Sequence, residues 1–178
     1  MRRFIPWLTV VLVLVLDRLS KLLVMDRLEV NQWVAVVPGL SLTHVHNRGI
    51  AFSLFSSGTS LSRVALHLVI MAAVVLIAWM LIRDGARAPM LGVGLGLILG
   101  GAVGNLLDRI LYGWVVDFIR LWVVIGGRVH SWPDFNLADS AISVGAGLLI
   151  LHELLTWQRR VRSPRHMEGH SADAPGSD

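Results

Sequence analysis

The chain has 178 residues, of which 54% are hydrophobic and only 16% charged, and its mean hydropathy is +0.66. That is too apolar for an ordinary soluble domain and predicts an all-α membrane protein, a bundle of about four spans. The formal charge of +4 sits mostly at the ends of apolar runs rather than in a stripe with interleaved aromatics, which argues against nucleic-acid binding; having no cysteine excludes disulfides, thiol catalysis and Cys-based metal sites.

The first apolar segment runs from Phe4 to Met25 after Arg2-Arg3, as a signal peptide would. No small-residue cleavage site follows, and the run carries Asp17, Arg18 and Lys21, so a retained helix is expected. Residues 26–62 are long for a connection. Within them Trp33–Val37 and Leu40–Val45 read as short strands around the turn dipeptide Pro38-Gly39, which predicts a small β element on the membrane surface. The second segment is Val64 to Ile82, and the third, Met90 to Leu107, holds no charge. The fourth runs from Leu137 to Trp157, with Asp139 near one end and His152-Glu153 near the other. Each is long enough to cross about 30 Å of hydrocarbon. Residues 1–158 are thus expected to form one integral-membrane domain, and 159–178 a basic, then polar tail, disordered from Ser163.

With four spans, Arg2-Arg3, the Arg83–Arg87 loop and Arg159, Arg160, Arg162 and Arg165 share one side, which the positive-inside rule makes cytoplasmic. Both termini are then inside, and segments 26–62 and 108–136 face outward. Trp7, Trp79, Trp114 and Trp157 lie near span ends, where an aromatic belt is expected. Gly92, Gly96, Gly100 and Gly104 form a smooth stripe for close helix packing, with Ala141 and Gly145 as a candidate partner.

Acidic residues beside apolar sequence carry the chemistry. Asp117 lies between Val115-Val116 and Phe118-Ile119, and Asp139 follows Phe135-Asn136-Leu137-Ala138. Ionisable groups near lipid are expensive and point to function. Two carboxylates brought together share a proton, and such a pair works as acid and base on a peptide bond. Asp17 and Lys21 share a helix face as an acid–base pair with a structural role. Asn105, Asp108 and Arg109 share a face of the third helix, where Asp108-Arg109 reads as a self-neutralised pair, leaving Asp117 as the better proton carrier. Asn136 reads as a helix cap. Asn47 is placed to bind substrate backbone, and Gly49 to allow close approach or a turn. His44 and His46 face one way on a strand but lack a further clear metal ligand, and His152-Glu153 lacks the second histidine of a zinc-protease motif.

Five ordered blocks match a known family: Asp17-Arg-Leu-Ser-Lys21, Asn47-Arg-Gly-Ile-Ala-Phe52-Ser, Gly100-Gly-Ala-Val-Gly-Asn105-Leu-Leu-Asp108-Arg109, Val116-Asp117-Phe118-Ile119, and Trp132-Pro-Asp-Phe135-Asn136-Leu-Ala-Asp139-Ser-Ala-Ile142. Over roughly residues 10–155 the chain resembles lipoprotein signal peptidase, or signal peptidase II. The resemblance implies a four-helix bacterial inner-membrane aspartyl protease, active near the outer face, which removes the signal peptide from diacylglyceryl-modified prolipoproteins by cutting before the lipidated cysteine. It implies Asp117 and Asp139 as the catalytic pair. Asp17, Lys21, Asn47, Asn105, Asp108, Arg109 and Asn136 would support site or substrate. Membrane lipid is an implied partner; no cofactor, metal or obligate protein partner is expected. Trp132 and the basic tail after Arg159 depart from the family pattern without touching these residues. The alternative from a different class is a small proton-coupled transporter or lipid-binding membrane protein, with Asp17, Lys21 and Asp139 forming an ion path; it would usually show an internal repeat, and none is clear.

Overall fold

The computed structural model describes residues 3–49 and 60–162. Residues 50–53 of the second sequence block and the tail from Ser163 lie outside these. Four long helices and a four-stranded antiparallel sheet alternate along the chain: α1 (Ile5–Arg27), β1 (Trp33–Val37), β2 (Leu40–Asn47), α2 (Ser60–Asp84), α3 (Pro89–Tyr112), β3 (Val115–Ile125), β4 (Arg128–Ser131) and α4 (Leu137–Arg162). Proline sits in the first turn of both α1 and α3, where its missing N–H costs nothing. Among the described residues, three segments are long and apolar enough to cross a membrane: Val64–Asp84, Pro89–Tyr112 and Leu137–Val161. α1 has 23 residues, but its second half carries Asp17, Arg18, Lys21, Asp26 and Arg27.

α3 is the hub, packing against all three other helices. The expected glycine stripe is there, but its partner is different. A Cβ on Gly96 would fall 2.7 Å from the Pro6 carbonyl oxygen, and one on Gly100 2.8 Å from Val13 Cβ, so this stripe seats α1. Gly145 of α4 instead meets Gly94, and Gly101 meets Ala138 and Ile142, so α4 uses another face of α3. Omitting Cβ on two faces lets α3 approach both neighbours closely. Gly100→Leu is therefore expected to cost about 1–3 kcal/mol or more by forcing α1 away, read as a lower melting temperature in detergent.

The sheet order is β1-β2-β3-β4. The first two strands follow the sequence expectation. β3 and β4, in a segment expected only to face outward, are additions: Val115-Val116 and Val123-Val124-Ile125 supply branched residues, and Gly126-Gly127 (φ +58° and +74°) makes the two-residue turn. Val116 and Phe118 on one face of β3 pack against Val24 near the end of α1, fixing the sheet to that end of the bundle.

Candidate active site

The sheet end of the bundle holds a buried ionic cluster. Lys21 is fully buried, and its ammonium contacts Asp17 Oδ2 at 2.8 Å, Asp108 Oδ2 at 2.8 Å and Asn105 Oδ1 at 3.0 Å. All three donors of the ammonium thus have partners, as burial demands. The expected Asp17–Lys21 pair is present. The expected Asp108–Arg109 pair is not: Asp108 faces Lys21 and Arg18 (3.5 Å), while Arg109 Nη1 donates to the Asn105 carbonyl at 3.1 Å. Adjacent residues on a helix point about 100° apart, so the sequential neighbour loses to a cation on α1.

Each buried carboxylate also accepts a backbone N–H. Asp108 Oδ2 takes that of Val116 at 3.3 Å, and Asp17 Oδ1 takes that of Ala138 at 3.0 Å. The next residues along the chain are Asp117 and Asp139. The cluster therefore anchors the backbone beside both exceptional aspartates, one at the start of β3 and one in the first turn of α4.

Asparagines join these two aspartates. Asn136 Nδ2 donates to Asp117 Oδ1 at 2.8 Å and Asn105 Oδ1 at 3.2 Å. Its Oδ1 accepts the Asp139 N–H at 2.9 Å, and its own N–H donates to Asp139 Oδ2 at 3.2 Å. That reciprocal pattern is a capping box, so the expected cap is also a bridge between the carboxylates. Asn105 Nδ2 donates to Asp139 Oδ1 at 2.7 Å, and Asn47 Nδ2 donates to Asp117 Oδ2 at 2.8 Å. Asn47 thus uses one N–H on Asp117, where the sequence suggested substrate backbone. Arg109 lies within electrostatic reach of both Asp139 and Asp117.

Burial pushes the Asp117 carboxyl up to about 6, and negative Asp139 adds to the rise, against the amide hydrogen bonds of Asn47 and Asn136. The arrangement holds two carboxyls in one hydrogen-bonded network, one of them disposed to keep a proton close to neutral pH.

Gly49 shapes Asn47. Its N–H donates to Asn47 Oδ1 at 2.9 Å, turning the amide so that Nδ2 faces Asp117. Its φ is +93°, and a Cβ would fall 2.8 Å from Leu66 Cδ2. Gly49→Ala is expected to lower kcat several-fold, with a loss of about 1 kcal/mol or more in stability; steady-state kinetics beside thermal melts check this.

Sequence reasoning missed Phe135, whose carbonyl accepts the Phe118 and Ile119 N–H groups at 3.0 and 2.8 Å, holding the approach to α4 against β3. The predicted same-facing histidines do meet: His44 Nδ1 lies 2.8 Å from the Leu28 carbonyl and its Nε2 3.1 Å from His46 Nε2. His44 then donates from Nδ1, and His46 donates from Nε2 to it. Burial, His44 and Arg48 lower the His46 pKa, and its ring stacks on Trp114 at 4.5 Å. Trp114 thus packs on the sheet through His46. Among the described residues no group of three or more His, Cys, Asp or Glu is arranged to hold a metal ion.

Comparison with known proteins agrees over nearly the whole chain. A family profile described as signal peptidase (SPase) II matches residues 9–155. The lipoprotein signal peptidase of Paraburkholderia phymatum is 44% identical, covering 90% of this chain and 92% of its own, and that of Burkholderia mallei 42% identical over the same shares. Two solved bacterial membrane enzymes superpose with TM-scores of 0.72 and 0.75 at 28% and 26% identity, covering 84% and 92% of this chain and 92% and 93% of theirs. By the family profile, these relatives and the shared fold, the chain belongs to the signal peptidase II family and is a multi-pass membrane peptidase.

Proposed function

We propose that the chain is an aspartyl endopeptidase that cuts diacylglyceryl-modified prolipoproteins before the lipidated cysteine, with Asp117 and Asp139 as the catalytic pair. The observation that carries this is the Asn136 bridge, which ties one carboxylate on a strand to one on a helix in a single network. In the reaction one carboxyl is ionised and one protonated. The ionised group takes a proton from water as the water oxygen adds to the scissile carbonyl carbon, and the protonated group gives its proton to the carbonyl oxygen. The group that took the water proton then delivers it to the leaving nitrogen. The other recovers the hydroxyl proton, and the C–N bond breaks to a carboxylic acid and a free amine. The proton belongs to the pair rather than to a fixed member. Asn47, Asn105 and Asn136 aim the carboxylates, Arg109 offsets their charge, and the Asp17–Lys21–Asp108 cluster fixes the two backbones.

The substrate reading rests on the relatives named lipoprotein signal peptidase. In the proposed topology α1 to α4 all span the bacterial inner membrane. α1 does so because its charges are internally matched. Both termini are cytoplasmic, the arginines of the α2–α3 loop share their side, and the sheet and catalytic pair are at the outer face. The described residues of 1–158 act as one domain, and the substrate lipid enters from the bilayer. The transporter alternative finds no support in the comparisons.

The substrate reading is tested by offering purified protein a diacylglyceryl-modified precursor and the same precursor with serine in place of the cysteine. Cleavage of the first alone, with product mass placing the cut before the modified cysteine, is expected; equal cleavage of both would reject lipid recognition. For pH, the raised Asp117 value means the proton is held below about 6 and lost above it. The one-proton pair is the active form, so kcat/KM should fall as pH rises through that value, giving the alkaline limb of a bell. A profile flat through this region would contradict proton sharing.

A further inference from the structure

β2 ends His44-Val45-His46-Asn47, and its two histidines come together outside the carboxylate network. Val45 pairs with Asp117 and His46 with Val116. Paired residues share a face of the sheet and successive residues alternate, so His46 lies on the face opposite Asp117. His44 meets it there. The two Nε2 atoms are 3.1 Å apart, and the ring planes cross at 70°.

Both rings are held from behind. His44 is 5% exposed, and its Nδ1 lies 2.8 Å from the carbonyl of Leu28, the residue that closes α1. Its proton is thereby fixed on Nδ1, and Nε2 presents a lone pair. His46 is stacked on Trp114, with centroids 4.5 Å apart and 22° between the planes. A histidine that donates to a backbone carbonyl through one nitrogen and offers the other is the arrangement metal-binding histidines use.

The separation of the two nitrogens decides whether one ion can reach both. Zinc–imidazole bonds are about 2.0–2.1 Å long. With the nitrogens 3.1 Å apart, the angle at the ion is about 95–100°, between the square-planar and tetrahedral values. His46 then carries its proton on Nδ1 instead of Nε2, so both rings stay neutral and no proton is lost. Among the described residues no third His, Cys, Asp or Glu joins the pair, so water completes the coordination. Arg48 is within electrostatic reach of His46 and opposes the charge of the ion. Two protein ligands and a nearby cation set an affinity below that of a closed structural centre.

We propose that His44 Nε2 and His46 Nε2 form a binding site for a divalent transition ion, Zn²⁺ or Cu²⁺, on the face of the sheet away from Asp117. Both ions suit imidazole ligands. The ion takes no part in cleavage. It ties β2 to the end of α1 immediately before Asn47, the residue whose amide holds Asp117. The inference rests on the two rings and not on the peptidase reading.

The test is copper binding by untagged protein in detergent, read by electron paramagnetic resonance. His166 and His170 in the tail are a second histidine pair, so both are changed to asparagine in every sample. The parent is compared with His44→Gln and with His46→Phe, which removes the ligand and keeps a ring to stack on Trp114. The parent should bind one Cu²⁺ per chain with the splitting of two imidazole nitrogens, and Zn²⁺ should displace it. Either variant should bind at least about tenfold more weakly and lose the two-nitrogen signal. Zn²⁺ should also raise the melting temperature of the parent and not that of folded His46→Phe. Unchanged binding by folded His46→Phe would overturn the proposal by placing the ion elsewhere. Absence of stoichiometric binding by the folded parent would also overturn it, leaving the His44–His46 contact as a hydrogen bond only. No readout uses cleavage, so failure of the catalytic reading would leave these results unchanged.

Discussion

Asp117→Asn and Asp139→Asn should each lower kcat/KM for a lipidated prolipoprotein by at least about 10³-fold, with the protein still folded. The size follows from the division of labour. Water attack needs one carboxylate to take a proton and one carboxyl to give one, and asparagine does neither. In the proposed reaction the two groups share a proton, so losing either disables both roles and the double variant should be little worse than either single one. Stability should change much less. Asparagine keeps the shape of aspartate, and removing a buried charge relieves desolvation. At position 117, however, Asn47 and Asn136 both donate to the carboxylate, so one donor would face the new amide nitrogen at a cost of about 1–3 kcal/mol. Melting curves beside the kinetics separate the two effects.

Lys21→Met is the second large effect, and it acts through folding. The ammonium is the shared partner of Asp17 and Asp108, and no solvent reaches it. Removing it leaves two buried carboxylates facing each other across α1 and α3, and a broken buried pair costs about 3–5 kcal/mol. Activity should fall with stability, because Asp17 and Asp108 also hold the backbone beside Asp139 and Asp117. Neutralising the cluster as a whole, with Asp17→Asn and Asp108→Asn added to Lys21→Met, should recover part of the lost stability. A Lys21→Met protein melting within about 0.5 kcal/mol of wild type would show that the cluster is not what fixes these strands.

Much of this was legible in the sequence, for physical reasons that differ by region. The helices were readable because each needs an apolar run long enough for a bilayer; Met90 to Leu107 falls inside α3 and Leu137 to Trp157 inside α4. β1 and β2 were readable from strand residues around Pro38-Gly39. β3 and β4 were passed over although Gly126-Gly127 and its valine flanks are a hairpin signal. There the two faces are not separated into polar and apolar, so the period of two that marks a half-buried strand is weak.

Chemical identities were more legible than pairings. Asp17 with Lys21 could be read because four residues make one helical turn. Asp108 could not be matched to Lys21 from spacing, since that contact joins α1 to α3 across 87 positions, and the adjacent Arg109 was the wrong partner. The glycine stripe was visible, but which helix it seats depends on how the bundle closes. Asn136 was readable as a cap, whereas its bridge to Asp117 needs β3 beside the start of α4, a contact set by Phe135.

The central claim is that Asp117 and Asp139 together cleave the substrate without a metal. Its most direct test is one assay of purified, chelator-treated protein on a diacylglyceryl-modified prolipoprotein, with wild type, Asp117→Asn and Asp139→Asn compared and products read by mass. The account predicts full wild-type cleavage before the lipidated cysteine and none by either folded variant. Cleavage by a variant at close to the wild-type rate, or loss of wild-type cleavage on chelation, would contradict it.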